Sequence, residues 1–230
     1  MGAQWKHAGR IEAGNKKGAL FTRLSKEIIV AAKNGDPNPE NNARLRAAIE
    51  AARKQSMTRD TIERAIKRGA GLLDPVNYET VTYEGYAPHN VPVIVECLTD
   101  NRNRTAAEIR MLFRKGQLGA QGSVQWQFDR KGVVEATHPQ GMDMFEAAVE
   151  AGAGDVEADE DMAVFTCDPT ELAAVNAALT ALGWVPSSSE IRWVAKDTMN
   201  LDGTARDEAT AFLQAIDEND DVHRVYTTLA

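Results

Sequence analysis

The sequence predicts an α+β protein: a three-helix N-terminal bundle followed by two α/β domains, one inserted into the other. Three observations carry this prediction. Up to Leu72 the apolar residues recur at helical spacing. From Tyr78 onward, alternating strand-like runs interleave with helical ones. The charge divides at the same place: residues 1–72 hold 15 Lys/Arg and 7 Asp/Glu, a net +8, whereas residues 73–230 hold 11 and 27, a net −16.

Residues 1–17 are basic, carry few apolar side chains beyond Trp5 and Ile11, and read as a mobile arm. A first helix is expected from about Ala19 to Lys33, with Leu20, Leu24, Ile28 and Ala31 on one face. Asn34-Gly35-Asp36-Pro37 ends it. Asn38 is expected to cap the second helix with Pro39 at its first position, and Leu45, Ile49 and Ala52 form its apolar stripe. Thr58 caps the third, where Ile62, Ala65 and Ile66 face inward and Gly69 and Gly71 end the run. None of these short helices buries a face alone, so they pack together.

Leu72 to Asn77 read as a linker. Strands are expected at Tyr78–Tyr83 and Val91–Thr99, joined by the Pro88-His89-Asn90 turn. Thr105 followed by Glu108 matches a capping box and predicts a helix from Thr105 to Lys115. Gly116, Gly119 and Gly122 read as a flexible loop, and Ser123–Phe128 alternates like a strand. From Gly132 the order is strand (Val133–Thr137), helix (Met142–Ala151), two strands (Asp155–Ala158 and Ala163–Cys167), helix (Thr170–Leu182) and strand (Ser189–Ala195). That is the βαββαβ order of a ferredoxin-like unit. Residues 131–196 hold 3 Lys/Arg and 12 Asp/Glu. A last helix (Thr204–Asp217) and strand (Val222–Thr227) are expected to return and complete the earlier α/β domain. The division is therefore 1–72, 76–130 with 197–230, and 131–196.

Composition narrows the function classes. The chain has 230 residues and 43% hydrophobic content, enough for a sizeable core. Its apolar runs fall far short of the ~20 residues that span a bilayer, and the N-terminus lacks the apolar core of a secretory signal. No membrane partner and a cytoplasmic location are expected. Cys97 and Cys167 lie in apolar runs with no CxxC spacing and read as reduced core thiols.

The sequence offers little for catalysis. His7, His89, His138 and His223 are scattered, with no metal spacing. The acidic run Glu157–Asp161 lacks the calcium-loop pattern and reads as a solvated turn. The Gly116–Gly122 stretch follows a helix and precedes a strand, the reverse of a nucleotide-binding glycine turn. No catalytic residues, metal, cofactor, small-molecule substrate or enzymatic activity are expected.

Binding is the better reading. Lys6, Lys16 and Lys17 on the arm, with Arg23, Lys26, Arg44, Arg53, Lys54, Arg59, Arg64, Lys67 and Arg68 on the bundle, are expected to neutralise phosphates. Base-reading Asn and Gln are scarce among them, which favours backbone contact over sequence readout. Asn101, Arg102, Asn103 and Arg104 precede the capped helix and form a candidate anion seat at its N-terminus. Arg110, Arg114 and Lys115 extend that positive strip along the helix.

The segments VTYEGYAPHNVPVIVECLTDN, TDNRNRTAAEIRMLFRKGQLGAQGSV and NNARLRAAIEAARKQSMTRDTIERAIKRGAG resemble the YebC/PmpR family over nearly the whole chain. The resemblance implies a three-helix N-terminal domain plus two α/β domains and no enzymatic activity. It implies a nucleic-acid partner, either rRNA or tRNA in a ribosome-associated translation factor acting on proline-rich stretches, or promoter DNA in a transcriptional regulator. The chain departs from the family's longer form, which opens with a more lysine-rich arm, and RKGQLG stands where a Gly-Gly pair is common.

Overall fold

A computed structural model describes residues 15–74, 76–137, 142–159 and 162–230. Lys6, His7, His138 and the Glu160-Asp161 tip of the acidic run lie outside the described residues. The chain divides into two compact units, residues up to Gln127 together with Ala195–Ala230, and Phe128–Val194.

The first unit opens with three helices, α1 (Asn15–Lys33), α2 (Ala43–Lys54) and α3 (Arg59–Gly69). Leu24, Ile28, Leu45, Ile49, Ala52, Ile62 and Ala65 fill their shared core, as the 3.6-residue spacing dictates. Helix α1 starts at Asn15 rather than Ala19, so Lys16 and Lys17 belong to it and not to an arm. Gly69 allows α3 to pass close to α1, since a Cβ there would stand 2.5 Å from the Ile29 carbonyl oxygen. Thr58 caps α3 through its side-chain oxygen, which accepts from the Thr61 N–H.

The cap of α2 is Asn42, not Asn38. Asn38 instead stabilises the preceding turn, where its backbone N–H donates to Asp36 and its side chain accepts from the Glu40 N–H. Asn42 has more to gain at the cap. Its Oδ1 accepts from the Leu45 N–H at 3.0 Å, and its Nδ2 donates to the carbonyls of Ala31 and Asp36 at 2.9 and 2.8 Å. One buried amide thus ties the end of α1, the turn and the start of α2. Asn42→Ala removes the cap and strands the buried carbonyl of Ala31. The expected cost is about 1–2 kcal/mol, read as a lowered urea midpoint; an unchanged midpoint would show the cap to be dispensable.

The same unit continues into a four-stranded antiparallel sheet of order β3-β1-β2-β8. Strands β1 (Glu79–Ala87) and β2 (Val91–Thr99) form a hairpin whose turn residues His89 and Asn90 adopt positive φ. The short β3 (Gln117–Leu118) pairs with β1. The last strand, β8 (Val222–Thr227), pairs with β2, so the chain end returns to complete this sheet. Helices α4 (Arg102–Leu112) and α7 (Gly203–Asp217) cover one face. Phe113 and Phe212 meet edge to face there, with ring centroids 5.3 Å apart.

Between these segments runs the second unit: β4 (Phe128–Thr137), α5 (Met144–Ala151), β5 (Asp155–Asp159), β6 (Met162–Cys167), α6 (Leu172–Ala181) and β7 (Val185–Ala195). Its strand order, β5-β6-β4-β7, is the ferredoxin-like arrangement expected from βαββαβ. Phe165, Leu179 and Trp184 anchor its core. The strand expected at Ser123–Phe128 is absent. A 3-10 turn occupies Gln125–Gln127, and β4 begins at Phe128. The alternation that suggested a strand arises because Val124 and Phe128 are buried while Trp126 between them is exposed.

Candidate nucleic-acid interface

On α2 and α3, Arg44, Arg53, Lys54, Arg59, Arg64, Lys67 and Arg68 are all exposed, as their polar positions between the apolar stripes require. Residues 43–69 hold eight Lys/Arg, counting Arg46, against Glu50, Asp60 and Glu63. Arg59 shares its charge with Glu63 at 2.7 Å, and that pair is solvated. Arg46, not singled out by spacing, donates to the carbonyls of Pro39 and Glu40 and braces the turn before α2. Of the first-helix residues, Lys16 and Lys17 stand in the first turn of α1, and their side chains lie outside the described set.

Two bundle cations expected at the surface are instead committed inward. Lys26 is only 7% exposed. Its ammonium donates to the carbonyls of Leu98 and Asp220 and to the Asp221 carboxylate at 2.7 Å. It also lies 5.5 Å from the centroid of the Tyr78 ring. Arg23 pairs with Asp217 at 3.2 Å. Neither is presented to a phosphate. Both belong to the clasp that fixes α1 against α7 and the β8 edge, and Glu27 with Arg224 at 3.8 Å adds to it.

The Asn-Arg loop also differs from the expectation, through its cap and the pairing of Arg104. Helix α4 begins at Arg102, three residues earlier than the capping-box reading, and its cap is Asn101. The Asn101 Oδ1 accepts from the Arg104 N–H at 3.1 Å, and the Thr99 hydroxyl oxygen accepts from the Asn101 N–H at 2.9 Å. Thr105, the residue expected to cap, is buried, and its hydroxyl donates to Asp221 at 2.7 Å. Arg104 grips Asp221 through Nε and Nη2 and reaches Asp100 at 2.9 Å. Its side chain stays 45% exposed, but its charge is shared with these two carboxylates.

Asp221 is the organising residue here, and no local pattern marks it. It is 4% exposed and gathers Lys26, Arg104 and Thr105. Burial pushes its carboxyl pKa up, but the donors outweigh burial and hold it down at about 2. The adjoining cleft, about 740 Å³, is lined by Asp100, Glu108, Glu218, Asp220 and Asp221 against Lys26 and Arg104. With those two cations already paired, the cleft is net negative and repels anions. The anion seat expected at the N-terminus of α4 is therefore not formed on this side. Arg102, Asn103, Arg110, Arg114 and Lys115 remain exposed. Arg102 has Glu79 no closer than 3.8 Å. Arg114 and Lys115 sit in a 3-10 turn, Phe113–Lys115, so the α-helical register with Arg110 stops at Leu112.

The glycine loop after that turn is pinned, not flexible. Glu84 on β1, 2% exposed, accepts from three backbone N–H groups with its carboxylate: Gly122 at 2.7 Å, Val124 at 3.0 Å and Gln125 at 3.2 Å. Its carbonyl accepts a fourth, from Gly119, at 2.8 Å. Gly116 is needed for close approach, because a Cβ there would lie 2.3 Å from the Tyr86 carbonyl oxygen. Among the described residues no group of three His, Cys, Asp or Glu is placed to hold a metal ion, and no helix is long and apolar enough to cross a membrane.

The whole chain finds close relatives. Residues 3–72 match the model of the TACO1/YebC protein N-terminal domain, and residues 78–229 match that of the TACO1/YebC second and third domain. A "Probable transcriptional regulatory protein" of Pseudomonas syringae pv. tomato is 53% identical, with 100% of both chains covered. The "Probable transcriptional regulatory protein Bd1964" of Bdellovibrio bacteriovorus is 49% identical, again over 100% of both. The crystal structure of the conserved hypothetical protein Aq1575 from Aquifex aeolicus superposes with a TM-score of 0.85 at 41% identity, covering 96% of this chain and 93% of that one. The chain belongs to the TACO1/YebC family.

Proposed function

We propose that this protein is a non-enzymatic, nucleic-acid-binding regulator of gene expression whose bundle grips the phosphate backbone, acting as an RNA- or ribosome-associated translation factor on proline-rich sequences. One observation carries the reading: α2 and α3 present seven exposed, candidate phosphate-binding cations and contain no Asn or Gln. Such a surface neutralises phosphates and follows shape, but it has few groups to read base edges. The exposed Arg102, Arg110, Arg114 and Lys115 supply a second set of cations, with the neutral Asn103 beside Arg102. The acidic remainder opposes indiscriminate adhesion to nucleic acid.

Reversing charge at Arg53, Lys54 and Arg64 together should weaken binding to ribosomal RNA by at least tenfold at physiological salt. It should also flatten the slope of log K against log salt by ~0.7–0.9 for each phosphate that is no longer neutralised. These side chains are exposed, so the melting temperature should hold within a few degrees. Co-sedimentation of the wild-type chain with ribosomes at low salt, abolished in the triple variant, is the matching result in extracts. Absence of the wild type from ribosomal fractions at low salt would sink the translational reading.

A second reading, a DNA-binding transcriptional regulator using the same surface, is favoured by the names of the relatives from Pseudomonas and Bdellovibrio. It requires a promoter footprint that survives excess competitor DNA. Equal affinity for random duplexes would count against it.

A further inference from the structure

Trp126 is 68% exposed, an unusual place for the largest apolar side chain. Its indole N–H donates to the Ser123 carbonyl oxygen at 3.1 Å, so its only polar group is satisfied by its own loop. The Tyr86 hydroxyl donates to that same oxygen at 3.4 Å. The loop backbone is held in turn by the buried Glu84 carboxylate, through the N–H groups of Gly122, Val124 and Gln125. An exposed indole is therefore fixed on a rigid support instead of waving in solvent.

The local chemistry fits one kind of ligand. Between Glu108 and the exposed Asp129, which bound the stretch, the chain holds Arg110, Arg114 and Lys115 and no Asp or Glu, although the protein carries a net −8. The loop also carries Gln121 and Gln125 beside Trp126, amides able to meet base edges. The exposed pair Phe145 and Val149 on α5 differs in this respect, being interleaved with Glu146 and Glu150, which repel phosphate.

We propose that Trp126 is a preformed stacking platform for an unpaired base of single-stranded RNA, with Glu84 as the positioning residue that keeps it in place. The inference rests on the nucleic-acid reading above and adds where and how a base is held. Stacking uses the π-face common to all bases, so it contributes affinity without sequence preference. A platform ordered before binding loses little side-chain freedom when the base arrives.

The test titrates the full chain with a labelled 12-nucleotide oligo(A) RNA, and with an abasic strand of the same phosphate number, by anisotropy over a range of salt. Trp126→Ala is expected to weaken oligo(A) binding by about 5- to 150-fold and to leave the salt slope and the abasic strand unchanged. Trp126→Phe should recover most of the loss. Glu84→Gln should reduce the preference for oligo(A) over the abasic strand while Trp126 is intact. Equal oligo(A) affinity for the wild type and Trp126→Ala overturns the platform. Wild-type binding to duplex but not to oligo(A) overturns the platform and leaves the broader reading standing. Binding to neither at low salt overturns both.

Discussion

Replacing Asp221 with Asn is expected to destabilise the protein by about 3–5 kcal/mol, the range for breaking a buried ion pair by removing one partner. The effect is large because Asp221 answers two cations from different parts of the chain. Lys26, 7% exposed, would keep two carbonyl acceptors but lose its only described counter-charge at 2.7 Å. Arg104 would lose its bidentate partner and retain only Asp100. Adding Lys26→Met should restore part of the loss, because an apolar chain of similar length leaves no buried charge unpaired. Urea denaturation of the four members of that cycle measures the coupling; additive effects would show that the two residues do not act as a pair.

The same carboxylate sets an acid limit. Its pKa in the folded protein, about 2, lies below its ordinary value of 3.8. Its contribution is therefore complete above roughly pH 4 and is lost as pH falls toward 2.

The second large effect belongs to His223 on β8 and acts in a higher pH window. Burial, reinforced by the cations Arg224, Arg23, Arg44 and Lys26, holds its imidazole down at about 3, against an ordinary 6.5. The unfolded chain thus takes up a proton that the folded chain refuses. Stability is complete above about pH 6.5 and declines as pH falls toward 3, by up to ~1.4 kcal/mol per pH unit and on the order of 4 kcal/mol in all. His223→Gln, which has no proton to gain, should flatten the profile between pH 6 and 4 while leaving the fall below pH 4 in place. A wild-type profile already flat between pH 6 and 4 would contradict this assignment.

The sequence and the structure agree most closely where local periodicity decides the outcome. The three N-terminal helices, the Thr58 cap, the Pro88-His89-Asn90 turn and the βαββαβ order follow from apolar spacing and turn chemistry within a few residues. The exposed cations of α2 and α3 are equally legible, since a charged residue between apolar stripes faces water. The return of β8 beside β2 follows from counting strands and helices in an unfinished domain.

Agreement ends where a side chain's partner is remote in sequence. Asn38 and Asn42 are equally good caps by type, and the carbonyls of Ala31 and Asp36 within reach of the Asn42 amide separate them. Thr105 resembles a cap, yet its hydroxyl is drawn inward to Asp221. Glu84 looks like an ordinary strand glutamate until the glycine loop folds over it.

The α+β class, the inserted ferredoxin-like unit and the basic character of the bundle follow from the order of residues alone, because hydrophobic period and net charge are local sums. Which cations are free depends on the folded arrangement. Lys26 lies 195 positions from Asp221 and Arg104 lies 117, and no short-range rule signals that these charges meet. The cost of burying an unpaired charge brings Lys26 to the buried Asp221 carboxylate, and the same carboxylate draws in the exposed Arg104. Arg104 thereby becomes part of the clasp, while Arg102 and the cations on the outer faces of α2 and α3 stay exposed.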